Sequence, residues 1–284
     1  MNLAIIIDST CDLSAEELAK LGVDRVPLYV NFQGKMHRDW IDITPAKIVE
    51  GVAAGADLPT TSQPSPQDFS EAYARAVAGG ADQILVITIT SELSGTFQSA
   101  NIAAESAGAK VTVFDSRGAS LGHGEMARTA SALRARGASL DEIVAALSVI
   151  RDTNYVLFTV GTMEYLQKGG RIGRASALLG SLLNIKPILT LEDGKIAPLS
   201  RARGMRKAQQ EMIERFKAYA AAAGGPVVAN FIHIQDPAAA EGLRQAADEA
   251  GVQYRFGGIH EIGAVIGSHV GPNTFGLYAH RTTD

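Results

Sequence analysis

The apolar runs in the first half of this chain are short and β-branched, and helix starts lie between them. Residues 3–7, 84–89 and 110–114 read as buried strands. Ser14 with Glu17, Thr44-Pro45, Ser65-Pro66 and Ser139 with Glu142 are helix starts, with side-chain caps or a proline in the first turn. Strands separated by whole helices cannot pair as hairpins, so they predict a parallel sheet covered on both faces, an α/β arrangement. Helices are expected at about 14–22, 65–77, 97–104 and 122–136, with a further strand at 25–32 turning at Gln33-Gly34 and another at 156–160. Beyond residue 160 the pattern changes. Runs at 185–191 and 196–199 flank an Asp193-Gly194 hairpin turn, and helices at 205–222 and 237–250 alternate with a strand at 227–234. Strand-like runs follow at 252–259, 264–266 and 275–278. The reading is an N-terminal parallel-sheet α/β domain (1–160) and a C-terminal α+β domain (161–284).

A length of 284 residues with 46% hydrophobic residues supports domains of this size, and a net charge of −4 argues against a nucleic-acid binder. Cys11 is the only cysteine, so no internal disulfide forms and a reducing cytoplasm is expected. The first residues carry no basic segment and reach Asp8 too early for a signal peptide. The greasiest stretch, 178–191, is interrupted by Lys186 and Pro187 and is too short to span a bilayer. A soluble cytoplasmic protein is expected.

There is no P-loop, no His-Glu-x2-His and no cysteine pair for zinc. Gly122-His123-Gly124-Glu125-Met126-Ala127 matches the dinucleotide pattern in letters. It does not directly follow a strand, and no acid lies at a strand end about 20 residues on. Asp8-Ser9-Thr10-Cys11-Asp12 lacks the second acid of an aspartyl phosphatase, having Thr10 there, and reads as a turn in which Asp8 organises N–H groups at the sheet's carboxyl edge.

What remains is a set of donor-rich turns. Ser94-Gly95-Thr96 follows the 84–89 strand and opens a helix, where free N–H groups, hydroxyls and a glycine suit a small anion. Thr60-Thr61-Ser62-Gln63-Pro64-Ser65-Pro66 is dense in hydroxyls, Lys168-Gly169-Gly170-Arg171 combines cations with flexible backbone, and Gly267-Ser268-His269-Val270-Gly271-Pro272 offers an imidazole in a constrained turn. Singly, each serves structure more often than binding. Together they hold many donors and few bases, which favours gripping a carboxylate or phosphate over cleaving a bond.

These residues resemble the DegV family, fatty acid-binding proteins of the FakB type, nearly end to end. The resemblance rests on Asp8-Ser9-Thr10, Pro27-Leu28-Tyr29-Val30, Thr61-Ser62-Gln63-Pro64-Ser65, Leu93-Ser94-Gly95-Thr96, Asp115-Ser116, Gly169-Gly170-Arg171-Ile172, Ile185-Lys186-Pro187-Ile188 and Gly267-Ser268-His269-Val270-Gly271-Pro272. It implies a two-domain protein that buries one long-chain fatty acid between its domains. The carboxylate is then presented to a separate ATP-using kinase that makes acyl-phosphate for phospholipid synthesis. It further implies no catalytic residue, cofactor or metal of the chain's own, and at most transient membrane contact. Thr61 and Ser94 match the carboxylate-holding positions, with Ser62 and Gly95 beside them; His269 matches a histidine at the pocket mouth, and Arg171 and Arg203 match cations facing the kinase or acyl-phosphate. Asn273 departs from a common glycine, yet asparagine tolerates the left-handed backbone.

On this resemblance the tail supplies the affinity, about ten kcal/mol for roughly sixteen carbons before binding costs. Buried hydroxyls and N–H groups offset desolvation of the head. The stretch Ala177-Leu178-Leu179-Gly180-Ser181-Leu182-Leu183 is a candidate tail lining or plain core. A hydrolase or transferase using Ser94 with His269 as base is the alternative, although no third residue to orient the histidine is evident.

Overall fold

The structure is a computed structural model that describes residues 2–180 and 185–282. In chain order the elements are β1 (Leu3–Asp8), α1 (Ala15–Leu21), β2 (Val23–Val26), β3 (Tyr29–Phe32), β4 (Lys35–Arg38), α2 (Pro45–Ala53), β5 (Thr60–Ser62), α3 (Pro66–Ala78), β6 (Gln83–Thr88), α4 (Thr96–Ala104), β7 (Lys110–Asp115), α5 (Leu121–Ala135) and α6 (Leu140–Thr153). There follow β8 (Tyr155–Thr159), α7 (Glu164–Lys168), β9 (Ile185–Glu192), β10 (Lys195–Arg203), α8 (Met205–Ala222), β11 (Val227–His233), α9 (Pro237–Glu249), β12 (Arg255–Glu261), α10 (Ala264–Val270) and β13 (Phe275–Arg281). The chain divides into two compact units, Met1–Thr44 with Pro59–Asp152, and Pro45–Leu58 with Thr153–Asp284.

The first unit is built on the parallel sheet β2-β1-β6-β7. Its helices start where the sequence places them: Ser14 caps α1 through Glu17 N–H, and Ser65 and Asp68 form a reciprocal capping box on α3. One core joins Ile6, Ile84 and Val86 of the strands to Phe69, Tyr73, Ala100 and Ala103 of α3 and α4. Helix α5 packs against β1 and β6. A small antiparallel sheet, β4-β3-β5, carries Thr61 opposite Val30.

The second unit holds the mixed sheet β10-β9-β8-β13-β11-β12, in which only β11 and β12 run parallel. Met212, Ile213 and Phe216 of α8 and Ala240, Leu243 and Ala247 of α9 close the core over Leu157, Ile188, Phe231 and Leu277. Helix α10 packs with α7 and α2.

Three local expectations change. The strand read at 25–32 is two strands in different sheets, broken at Pro27, which has no N–H for a ladder. The strand at 156–160, read as closing the N-terminal domain, is β8, which pairs with β13 and β9 in the second sheet. Residues 264–266, read as strand and followed by a constrained turn, are helix α10. Only Ile266 and His269 are less than fully buried along it, a spacing of three that belongs to a helix rather than a strand. The second unit accordingly has more helices than the two expected.

Candidate ligand-binding site

In the first unit the chain leaves β1 towards β2 on one side and later fills β6 and β7 on the other, so the order reverses between β1 and β6. The carboxyl ends of strands at such a reversal form the crevice where open α/β sheets receive ligands. Two segments meet there by topology: the turn after β1, starting at Asp8, and the loop after β6, which contains Ser94.

Asp8 is fully buried and caps the single 3-10 turn Ser9–Cys11. Its Oδ1 accepts from Thr10 N–H at 3.0 Å and from the Thr10 hydroxyl, and lies 3.4 Å from His123 Nε2. Its Oδ2 accepts from Ile89 N–H at 2.6 Å. Burial pushes the Asp8 carboxyl up, but the His123 side chain and these hydrogen bonds outweigh it and hold the group below the usual carboxylate range. The reading of Asp8 as an organiser of N–H groups is borne out.

Downstream, Leu93 and Ser94 N–H both donate to Thr90 O, which folds the loop back before α4. Ser94 Oγ stands 2.8 Å from the buried Thr96 Oγ1, and Gly95 is an N-cap without a side-chain hydrogen bond. A half-buried hydroxyl therefore sits at the helix start, where Ser94 Oγ accepts from Thr96 N–H at 3.4 Å and the cap residue Gly95 offers no side chain. Gln63 links this loop to the Thr61 strand. A Cβ on Gly95 would lie 2.4 Å from Gln63 Oε1, so only glycine admits the carboxamide there, and Gln63 Nε2 reaches Ser99 Oγ at 3.4 Å. Thr61 shares the face of the buried Val30, whereas Ser62 alternates to the opposite, exposed face. The fold thus brings the Thr61 and Ser94 segments together and turns Ser62 away from Thr61.

In the second unit, the loop after α7 lies against the end of α10. A Cβ on Gly169 would meet His269 Nδ1 at 2.3 Å, and one on Gly271 would meet Tyr165 Cδ2 at 2.6 Å. One glycine on each side thus permits the close approach. Arg171 Nη1 donates to Gly169 O at 2.8 Å, which brings His269 and Arg171 to the same peptide. Burial, with the Arg171 charge second, pushes the His269 imidazole down to about 4, so it is neutral at pH 7. Of the neighbouring cations, Lys168 pairs with Glu164 at 2.7 Å and Arg174 with Glu192. Arg203 is exposed at the end of β10, in register with Ile185. Asn273 has φ +56, the left-handed backbone expected of it. In the 177–183 stretch, Ala177 and Leu178 end a 3-10 segment, while residues 181–184 lie outside the described residues.

Sequence reasoning did not assign roles to Gln63, Thr96 or Gly169. Gly95 and Gly169 each sit where a side chain crosses the backbone, and only their place beside polar residues hinted at that. The Gly122-His123-Gly124 pattern is a buried helix start: a Cβ on Gly124 would meet Cys11 O at 2.7 Å, so the glycine serves packing. Cys11 is fully buried and burial pushes its thiol up. Among the described residues no three His, Cys, Asp or Glu side chains gather as a metal site, and no helix is long and apolar enough to cross a membrane.

A parallel-sheet α/β unit with hydroxyl-rich loops at its strand ends, and a mixed-sheet unit, define a two-unit α/β protein. The family described as uncharacterised protein, DegV family, matches residues 2–282, and the chain belongs to the DegV family. It is 41% identical over 277 residues to a DegV domain-containing protein of Deinococcus radiodurans, covering 98% of each chain. Among solved structures it resembles a DegV family protein from Thermus thermophilus described for its fatty acid binding, with a TM-score of 0.94 and 44% identity over 99% of this chain and 100% of that one. A stearic acid-binding protein from Eubacterium ventriosum superposes with a TM-score of 0.88 at 26% identity, over 99% and 98% of the two chains.

Proposed function

We propose that this chain binds a long-chain fatty acid and presents its carboxylate to a separate ATP-dependent kinase that converts it to acyl-phosphate. In this reading Thr61, Ser94, Gly95 and His269 receive the carboxylate, Ser62 stands next to Thr61 on the other face of β5, and Arg171 and Arg203 contact the kinase or the acyl-phosphate. The observation that carries it is the Ser94 hydroxyl at the start of α4, held against the Thr61 segment by Gln63. The fatty acid binding of family members with this fold supports the ligand class. A neutral His269 is able to donate one hydrogen bond to a carboxylate, and Arg171 beside it supplies charge for the dianionic phosphate of the product.

Mass spectrometry of lipid extracted from the denatured protein is expected to find a fatty acid. Delipidated protein is expected to take up palmitate or oleate, and Ser94→Ala to weaken uptake about tenfold, the worth of one hydrogen bond to a charged group. Arg171→Ala is expected to spare uptake while slowing phosphorylation by the kinase. No lipid and no uptake would overturn the carrier reading, and hydrolysis of acyl esters by the isolated chain would replace it with the enzyme reading.

A further inference from the structure

The turn at the end of β1 sends one hydrogen-bonded arm to each of the two segments that carry the carboxylate hydroxyls. Along the first arm, Asp8 Oδ2 accepts from Ile89 N–H at 2.6 Å, and the next residue, Thr90, offers the carbonyl on which Leu93 and Ser94 N–H fold. Along the second, Ser9 Oγ accepts from Leu28 N–H at 3.0 Å and donates to Asp39 Oδ2 at 2.8 Å, while Asp39 N–H returns to Leu28 O at 2.9 Å. Leu28 leads directly into β3, where Val30 stands opposite Thr61 of β5. Asp8, Ser9, Asp39 and Thr90 are all fully buried, so these bonds are sheltered from competition with water. Thr10 and His123 occupy the remaining side of Asp8 and fix its rotamer.

We propose that Asp8 and Ser9 are the positioning residues of the carboxylate site: without touching the ligand, Asp8 places Ser94 and Ser9 places Thr61. The inference rests on the fatty acid reading of Thr61 and Ser94. It differs from a general stabilising role because each residue acts on one hydroxyl and not the other. Removing an arm leaves its hydroxyl present but misplaced, so deleting that hydroxyl afterwards costs little more. Deleting the hydroxyl on the other arm still costs its full amount.

The test is oleate affinity of the delipidated full chain, read by displacement of a fluorescent fatty acid, across two mutant cycles. Ser9→Ala is expected to weaken oleate about tenfold, to be non-additive with Thr61→Ala and additive with Ser94→Ala. Asp8→Asn is expected to show the reverse pairing. Ile84→Val, which trims the core of the same unit away from the turn, lowers the melting temperature and leaves affinity unchanged. Should Asp8→Asn fail to fold, the Ser9 cycle decides alone, its fold checked by hydrogen exchange. Oleate uptake unaffected by Ser9→Ala, or losses additive with both hydroxyls, overturns the proposal while leaving the carrier reading intact. No uptake by the unaltered chain overturns both.

Discussion

The turn at Asp8 and the end of helix α10 at His269 both bury an ionisable side chain beside a close-packed loop, and they settle its charge in opposite ways. Asp8 is surrounded by donors: two N–H groups, a hydroxyl and the His123 ring keep the carboxylate charged with no exposure to water. His269 faces a guanidinium and a glycine backbone, so burial and like charge push it neutral. The difference separates two uses of a buried group. A charge whose lone pairs are all met by the protein organises structure and has nothing left for a ligand. A group held in its neutral form beside a cation keeps its response to an arriving anion.

The largest effect expected from this contrast is at Asp8. Asp8→Ala strands the Ile89 and Thr10 N–H groups and the His123 side chain in a dry interior, a loss on the order of 3–5 kcal/mol. Urea unfolding is expected to show the first unit melting early or not folding at all. A loss under about 1 kcal/mol would mean that water or neighbours replace the carboxylate, and the contrast with His269 would collapse. Next in size is Gly169→Ala. The backbone there has an ordinary φ of −74, so the penalty comes from a methyl group driven against the imidazole and against Tyr165 O, about 1–3 kcal/mol. In a His269→Ala background the same substitution is expected to cost much less, and melting curves of the four proteins check it. An unchanged penalty would mean that Tyr165 O, 2.9 Å from the same point, sets the limit instead.

What the sequence made legible follows the range of the interactions concerned. Caps and tight turns are written in neighbouring residues, and so Ser14, Ser65, Gln33-Gly34 and Asp193-Gly194 are found as read, the two turn pairs having φ of +51 and +73 and of +50 and +77. The parallel sheet follows from strands separated by helices, and the place of Ser94 in a donor-rich turn is equally local, whereas Thr61, read in a turn, lies in β5. The failures are non-local. Nothing near residues 264–266 distinguishes a short apolar strand from a short buried helix, and packing against α7 and α2 decides it. Pro27 marks a break, yet the separate sheets of β2 and β3 follow from partners far along the chain. Gln63 sits in a run rich in hydroxyls, but its place against Gly95 spans some thirty residues of sequence. The sequence also suggested a role for Asp8 without revealing that its carboxylate reaches Ile89, 81 residues away.

The remaining effect is the one that separates the two sites by pH. The folded-state value for His269 is about 4, below the ordinary 6.5, so the unfolded chain binds this proton first on acidification. The stability associated with the neutral ring is complete above about pH 7 and is lost as pH falls from 6.5 towards 4. The slope cannot exceed one proton, about 1.4 kcal/mol per pH unit. Asp8 is depressed from a carboxylate value and titrates only below that window, and His233, lowered chiefly by burial, titrates in both proteins of a pair. The difference between delipidated wild type and His269→Gln therefore isolates one group. Wild type is expected to lose ground steadily to the variant from pH 6.5 to pH 4.5, with no relative change between pH 7 and 8. Added oleate is expected to flatten that slope, because a carboxylate beside the ring favours its proton and offsets the like charge of Arg171. A flat difference in the delipidated pair would put the ring in contact with water. A slope that oleate leaves untouched would place the ligand's head away from His269.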